Sequence, residues 1–298
     1  MTPRILVGTE ATLFELADPQ FAQLDAPVSL AHDGARWWAV ADGANIWTST
    51  SGLEWQPATV LRGLKPNCIV PMNGGALVGT SEAHLVRVAD GGSARVASFD
   101  RIATRDDWYT PWGGPADVRS MSRGADGVFY ANIHVGGIAR SDDGAKWKAT
   151  PLDIDSDVHQ VLAHPETPGL VFAATAIGLA TSTDGGETWE FSEDGMHAAY
   201  CRAVAIAGDT LLISASKSHT GKQSALYRRP LKGGTFERCT EGLPEWFKDN
   251  VDTFCLDARG DDAVLGTIDG RVFVSEDAGS SWNEALKDEP PVTCVAVE

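Results

Sequence analysis

The sequence predicts an all-β fold built from repeated four-stranded antiparallel units. One turn-like stretch, TSTDGGETWEF at 181–191, recurs along the chain in several variants. Between the copies, short apolar runs follow one another at hairpin spacing and are separated by Gly, Asp, Asn and Pro, as strands joined by tight turns require. A fixed repeat of this kind is the signature of an architecture made of similar small units.

The repeated turn has a structural explanation of its own. In the copy at 181–191, Asp184 can fold its carboxylate back onto the following backbone N–H groups, and a glycine supplies the left-handed backbone of a tight hairpin. Trp189 begins the next strand and can cover the turn with its indole. We therefore expect Asp184 to stabilise the turn rather than to serve as a catalyst or metal ligand.

Six stretches carry this turn, and they become more degenerate in the following order: TSTDGGETWEF, VSEDAGSSWNE, ARSDDGAKWKA, WTSTSGLEWQP, RRPLKGGTFER and RVADGGSARVA. We align the third copy on Asp142, with Arg140 in the Ser/Thr position, and the fourth has Thr50 in place of the aspartate. The sixth keeps Asp90 but has Arg95 at the aromatic position. The shared pattern, Ser/Thr-x-Asp-x-Gly-x-x-Trp, resembles the Asp-box, or BNR repeat, of sialidase-like β-propellers.

The resemblance implies a β-propeller in which each Asp-box turn joins the third and fourth strands of a blade, away from the functional face. Counting first strands gives seven blades. The chain opens on RILVGTEATLFELA, which matches second and third strands, and ends on VTCVAVE, which matches a first strand. Pairing these N-terminal strands with the C-terminal strand closes the ring without an unpaired edge. We predict a single seven-bladed β-propeller domain of four-stranded antiparallel blades over residues 1–298.

Composition narrows the range of partners and compartments. The net charge of −17 disfavours binding to nucleic acid or to an anionic membrane surface. The sequence has no secretion leader at 1–20 and no apolar run long enough to span a bilayer, so we expect a cytoplasmic monomer. The five cysteines are expected to be buried free thiols.

Polar residues recur where the first strands of blades four to seven begin. The strings ADVRSM, SDVHQV, AYCRAV and DNVDTF place four side chains at equivalent positions: Arg119, His159, Arg202 and Asp252. Strand side chains alternate in direction, so residues two places earlier form a second set facing the same way. This second set is Asp117, Asp157, Tyr200 and Asn250. In propellers of the resembled family this end of the first strands lies at the mouth of the central channel, so we expect a ligand site there.

Adjacent loops add further polar and aromatic groups to this mouth. Asn132 and His134 end a second strand, Trp112 lies in the long segment entering blade four, and Trp246 precedes blade seven. Aromatic rings beside Arg, His and carboxylates suit a sugar or a small anion. The predicted ligand-binding residues are Arg119, Arg202, Asn132, Asp157, Asn250, Trp112 and Trp246.

Three chemical interpretations of the mouth remain open. The candidate catalytic residues are His159, His134, Tyr200 and Asp252. A histidine oriented by an aspartate can act as a general base while the arginines stabilise an anion, as in hydrolase or lyase chemistry. No cofactor is predicted, although the same His and Asp residues can hold a divalent metal without matching a dense ligand motif. The polar side chains can also simply pair with one another.

Ordinary sialidase activity is not expected. The resemblance to sialidases implies an arginine triad, a tyrosine nucleophile paired with a glutamate, and an aspartate acid. The strings TPRIL and FDRIA do not keep the aromatic-Arg-Ile-Pro order of that family, and no glutamate is placed to activate Tyr200. Asp-box propellers that act as assembly factors imply a non-enzymatic alternative, in which the same face holds a protein segment.

Overall fold

The computed structural model describes residues 3–18, 21–89 and 92–298. These residues form seven four-stranded antiparallel sheets, and the first strands of neighbouring sheets contact one another around a closed ring. The predicted all-β, seven-bladed propeller is therefore confirmed. Among the described residues, no helix has the length and apolar character needed to cross a membrane.

The first four blades follow one another along the chain. Blade one combines both chain ends: β1 (Ile5–Thr9), β2 (Thr12–Glu15), β3 (Phe21–Asp25) and, innermost, β28 (Val292–Val297). Blade two contains β4 (Ser29–His32), β5 (Trp37–Ala41), β6 (Asn45–Ser49) and β7 (Gln56–Val60). Blade three contains β8 (Pro66–Met72), β9 (Gly75–Thr80), β10 (Leu85–Ala89) and β11 (Gly92–Arg95). Blade four contains β12 (Val118–Arg123), β13 (Phe129–Ile133), β14 (Gly137–Ser141) and β15 (Lys148–Ala149).

The remaining three blades have the same strand order. Blade five contains β16 (Val158–Ala163), β17 (Val171–Thr175), β18 (Gly178–Ser182) and β19 (Glu190–Ser192). Blade six contains β20 (Tyr200–Ala207), β21 (Thr210–Ser216), β22 (Ala225–Pro230) and β23 (Glu237–Arg238). Blade seven contains β24 (Leu256–Arg259), β25 (Asp262–Gly266), β26 (Val272–Ser275) and β27 (Asn283–Leu286). The described residues also form three short 3₁₀ helices, at Phe99–Arg101, Arg105–Asp107 and Ile154–Ser156.

The two ends of the chain close the ring by pairing within blade one. β28 runs antiparallel to β1, with Val295 opposite Val7 and Cys294 opposite Gly8. A Cβ added at Gly8 would lie 2.5 Å from the Cys294 sulfur and 2.7 Å from Pro27. Only a glycine leaves room for this approach, so the predicted closure is confirmed at the level of side-chain packing.

The core consists of apolar side chains packed between successive blades. Large rings that are almost completely buried include Trp37, Phe99, Tyr130, Phe172 and Phe273. All five cysteines are buried and free, as expected: Cys68, Cys201, Cys239, Cys255 and Cys294. Burial raises the pKa of the Cys239 and Cys294 thiols to about 12, so these groups behave as small apolar side chains.

The best copy of the repeated turn is closed by the expected hydrogen bonds. The backbone N–H groups of Glu187 and Thr188 donate to Asp184 Oδ1 at 3.0 and 2.9 Å. The Ser182 hydroxyl donates to Asp184 at 2.8 Å and accepts from the Gly186 N–H at 2.7 Å. The Thr188 hydroxyl also donates to Asp184, at 2.6 Å. This bond has the largest effect among those that lower the pKa of the Asp184 carboxyl group to about 2. The carboxylate is engaged in the turn, which confirms its structural role.

The third copy uses a different aspartate from the one that the sequence alignment assigns. Asp143 accepts the N–H groups of Ala145 and Lys146 at 2.8 and 2.7 Å. Asp142, which we had aligned with the box, is exposed and receives only a 3.0 Å bond from Arg140. The assignment of Asp142 was therefore wrong, because this hairpin is one residue shorter and its acceptor comes one position later.

The fourth copy shows the same shortening. Ser51, rather than Thr50, takes the place of the aspartate, and its hydroxyl accepts the N–H groups of Leu53 and Glu54 at 3.3 and 3.1 Å. In both short turns the tryptophan indole donates to the turn glycine, at 2.9 Å for Trp55 and at 3.1 Å for Trp147. Asp90 of the sixth copy lies outside the described residues.

Candidate functional site

The inner strands of five blades bulge at the same level, just inside the channel mouth. The pairing of each first strand with its neighbour shifts register beside one residue or residue pair: Asn67, Arg119, His159, Arg202 with Ala203, and Thr293. A bulge leaves its extra residue out of the ladder and redirects the side chain, and bulges are frequent next to functional sites. The bulges explain why polar residues can occupy this level of otherwise apolar strands.

Blade seven reaches the mouth differently from the prediction. The first strand of this blade starts only at Leu256, because Phe254 adopts a left-handed backbone with φ of 68°. Asp252 precedes this point in a tight turn, in which the Cys255 N–H donates to its carbonyl at 3.0 Å. The expectation that Asp252 occupies a strand position equivalent to Arg119 was therefore wrong, although its side chain still reaches the mouth.

Asp252 joins two arginines from different blades. Arg119 donates to Asp252 Oδ1 at 2.6 Å from blade four, and one nitrogen of Arg202 contacts both carboxylate oxygens at 3.0 Å from blade six. The Thr253 N–H donates to the same carboxylate at 2.8 Å, and its hydroxyl accepts a bond from Arg119 at 3.2 Å. Burial raises the pKa of Asp252, but Arg119 and Arg202 outweigh this effect and hold it at about 2. The two guanidinium groups are thus paired within the protein.

A second cluster lies between blades four and five. His134 Nε2 is 3.1 Å from Asp157 Oδ1, and His159 Nε2 is 3.5 Å from Asp157 Oδ2. His159 is fully buried and His134 is 9% exposed. Burial raises the pKa of Asp157, but the two imidazoles more than offset it and the net shift is downward. Burial lowers the pKa of His159, so its neutral form is favoured at neutral pH.

Aromatic rings connect the two clusters. Trp112 lies over His134 with ring centroids 5.0 Å apart, His134 and His159 are 5.6 Å apart, and His159 and Tyr200 are 4.7 Å apart. The Tyr200 ring in turn lies 5.6 Å below the guanidinium of Arg202. The mouth is consequently a continuous band of polar and aromatic groups across blades four to seven.

Two of the predicted ligand-binding residues have other roles, and a third is partly engaged within the protein. Asn132 is completely buried, accepts a 2.6 Å bond from Ser120 and donates at 2.6 Å to the Val158 carbonyl. Trp246 packs against His197 and under Arg238, away from both clusters. Asn250 accepts a 2.6 Å bond from Ser216 and donates to loop carbonyls, while remaining at the surface. Asn132 and Trp246 are therefore corrected to structural residues, because their polar atoms or rings are engaged in blade packing.

A depression of about 480 Å³ opens beside Asp252, between blades six, seven and one. Its polar lining comprises Glu10, Arg202, His219, Asp249, Asn250, Asp252, Thr253 and Thr293. Thr253 was missed in the sequence, where its one signal was its position next to Asp252 at the start of a first strand. The apolar side chains Val28 and Ile268 flank the opening.

Solved structures share this fold at low sequence identity. The structure of YCF48 bound to D1 peptide matches with a TM-score of 0.60 and 16% identity, covering 95% of this chain and 85% of that one. The structure of YCF48 from Cyanidioschyzon merolae matches with a TM-score of 0.63 and 18% identity, covering 92% of this chain and 88% of that one. The structure of an ancestral GH74 enzyme matches with a TM-score of 0.63 and 16% identity, covering 99% of this chain but only 40% of that one. No protein-family model and no curated protein matches the sequence, so the likeness shows the fold alone.

Proposed function

We propose that the channel mouth binds a small, neutral, hydroxyl-rich molecule of the sugar class in the depression beside Asp252. The supporting observation is the polar lining of a cavity of about 480 Å³, which is within the usual size range of small-molecule sites. Carboxylates accept hydrogen bonds from hydroxyl groups, whereas Arg202 and Asn250 donate them. Such a mixture suits a polyol, which presents both donors and acceptors.

The local charges favour a neutral ligand over an anion. Arg119 and Arg202 are already paired with Asp252, which remains about half exposed at 48% of its side chain. Two further carboxylates, Glu10 and Asp249, line the same depression. An anionic ligand would have to displace Asp252 and face these acidic groups, whereas a neutral hydroxyl group can bond to them directly.

Saturation-transfer NMR tests this proposal, with glucose, galactose and xylose as neutral probes and galacturonate as the anionic comparison. We expect transfer to at least one neutral sugar, and its loss when Asp252→Asn or Asn250→Ala is introduced. Asp209→Asn is the matched control, because Asp209 lines the cavity at the opposite end of the channel. Transfer that is unaffected by Asp252→Asn, or that is seen with galacturonate alone, would refute the proposal.

The proposal includes turnover of the bound molecule by hydrolase- or lyase-type chemistry. The supporting observation is that the rings of His134, His159 and Tyr200 follow one another to Arg202, which lines the depression. Asp157 contacts both histidines. Imidazole and carboxylate groups are the usual proton carriers in such reactions. Incubation with aryl glycosides, followed by detection of released phenol, tests it; release that survives His159→Gln and Asp252→Asn together would place the chemistry elsewhere.

A second candidate function is the docking of a protein segment across the mouth. The observation that favours it is the distribution of exposed apolar side chains in the described part of the chain. Those near strand ends on the mouth side are Val28, Val60, Tyr109, Trp112, Ile177 and Ile268, with exposures of 39 to 64%. The structure of YCF48 bound to D1 peptide has the same fold. Val60→Ser with Ile177→Ser should weaken capture of a partner while leaving sugar transfer intact.

We also propose that the chain is a cytoplasmic, monomeric member of the Asp-box propeller class. Two observations support this proposal: the hydrogen-bonded turns at Ser182 to Asp184 and Ser275 to Asp277, and the five buried free thiols. Thiols of this kind persist in a reducing compartment without forming disulfides. Sedimentation velocity tests the monomer, and a dimer at low micromolar concentration would refute it.

A further inference from the structure

We propose that His134, Asp157 and His159 form a binding site for one divalent transition-metal ion of the Zn²⁺ class. One ligand atom from each residue lies within 4.8 Å of the others. The Asp157 oxygens are 3.1 and 3.5 Å from the Nε2 atoms of His134 and His159. Two ligand atoms that each lie about 2.1 Å from a shared ion are about 3.0–3.4 Å apart, so small side-chain shifts would complete the site.

The proton on His159 supplies an independent argument. His159 Nδ1 lies 2.5 Å from the Cys201 carbonyl oxygen, so Nδ1 must carry the proton and donate it to that acceptor. The other nitrogen, Nε2, then presents a lone pair. It is buried, has no hydrogen-bond partner and faces the carboxylate of Asp157. A lone pair that faces a carboxylate is repelled unless a cation lies between them. A second proton on His159 would be expected to draw the carboxylate to about 2.7–2.9 Å, whereas the observed distance is 3.5 Å.

A metal ion satisfies each of these groups at once. Histidines that bind metals usually donate their second ring N–H to a backbone carbonyl, which fixes the tautomer and aims the lone pair at the ion. Asp157 Oδ1 is also buried and accepts no well-aligned hydrogen bond, although His134 Nε2 lies 3.1 Å away. The backbone of Asp157 is left-handed, with φ of 50°, and this places its carboxylate between the two imidazoles.

The kinds of ligand atom in this cluster determine which metal ion it would bind. Two imidazole nitrogens and one carboxylate suit Zn²⁺ or Co²⁺, whereas Ca²⁺ and Mg²⁺ prefer oxygen ligands alone. Three protein ligands leave at least one coordination position for water or another molecule, as in catalytic rather than structural zinc sites. Trp112, which is 64% exposed, lies 5.0 Å from the His134 ring and covers this side of the mouth.

The experiment measures binding of the metal alone to chelator-treated full-length protein. Calorimetry with Zn²⁺ and visible absorption with Co²⁺ should show one equivalent bound, with weak or no response to Mg²⁺. Asp157→Asn and His159→Gln should each weaken Zn²⁺ binding by about 100-fold or more, since even outer-shell changes cost about 10–100-fold. Asparagine tolerates the left-handed backbone at this position, so Asp157→Asn should keep the fold, which circular dichroism will verify.

His84→Gln is the matched control. His84 also contacts a carboxylate, at 2.7 Å from Asp100, but Arg95 and Arg105 lie against the same pair and would repel a cation. Its substitution should leave the Zn²⁺ titration unchanged. Absence of Zn²⁺ and Co²⁺ binding, binding unchanged in Asp157→Asn, or an NMR spectrum showing His159 protonated on both nitrogens at neutral pH would overturn the inference. The titration contains no sugar, so its outcome is independent of the proposed function.

Discussion

Asp252 lies between Arg119 and Arg202, which donate to its carboxylate from blades four and six at 2.6 and 3.0 Å. This contact joins three blades across the channel mouth. It explains how two guanidinium groups can occupy the inner end of a ring with largely apolar strands. It also leaves an exposed carboxylate edge on which a hydroxyl-bearing ligand can bind.

Asp252→Ala should destabilise the protein, because two guanidinium groups lose their shared partner. Asp252 is about half exposed, at 48% of its side chain, so solvent screens part of the loss. We expect the free energy of unfolding to fall by about 1–2 kcal/mol, which lies between the values measured for surface and for buried ion pairs. Urea denaturation of the wild type and the variant measures this difference, and an unchanged midpoint would show that the contact does not stabilise the fold.

Asp252 should also make the folded protein less stable in acid. Its pKa in the folded protein is about 2, below the unfolded value of about 3.9. The stabilisation is therefore present above about pH 4 and is lost as the pH falls towards 2. The difference in unfolding free energy between wild type and Asp252→Asn should shrink across this window. If the difference in unfolding free energy did not change with pH, the assigned pKa of Asp252 would be wrong.

Asp257 should give stability the opposite dependence on pH, over a higher pH range. It is partly buried beside the closing strand, accepts the Val297 N–H at 2.9 Å, and desolvation raises its pKa to about 6. The folded state then holds the proton more tightly than the unfolded state, so stability should fall as the pH rises from about 4 to 6. Asp257→Asn keeps the acceptor and should remove this decline, which thermal melts at several pH values will show.

The corrected register of the third turn can be tested with two adjacent residues. Asp143→Ala removes an acceptor of two backbone N–H groups and should cost about 1 kcal/mol, as the loss of a capping side chain does. Asp142→Ala affects an exposed residue and should change stability by less than about 0.5 kcal/mol. Equal effects, or the reverse order in chemical denaturation, would restore the original alignment.

The fold could be predicted from the sequence because its signals are local and repeated. Asp184 and its following glycines specify a hairpin by themselves, and each copy adds to the count of blades. The site was harder to predict. Arg119, Arg202 and Asp252 do meet at the channel mouth, but Asp252 reaches it from a turn instead of a strand. Its pairing joins residues that lie 133 positions apart for Arg119 and 50 positions apart for Arg202. Asn132 and Trp246 were misassigned because a polar or aromatic residue at a strand end has the same sequence signal whether it faces the channel or a neighbouring blade.

The proposed function places a neutral sugar in the depression beside Asp252. A crystal structure of the protein soaked with the sugar that gives the strongest NMR transfer tests it most directly. We expect density for the sugar ring in the depression, with hydroxyl groups bonded to Asp252 and Asn250. Density for the sugar elsewhere, with none in the depression, would refute this function and favour the docking of a protein segment.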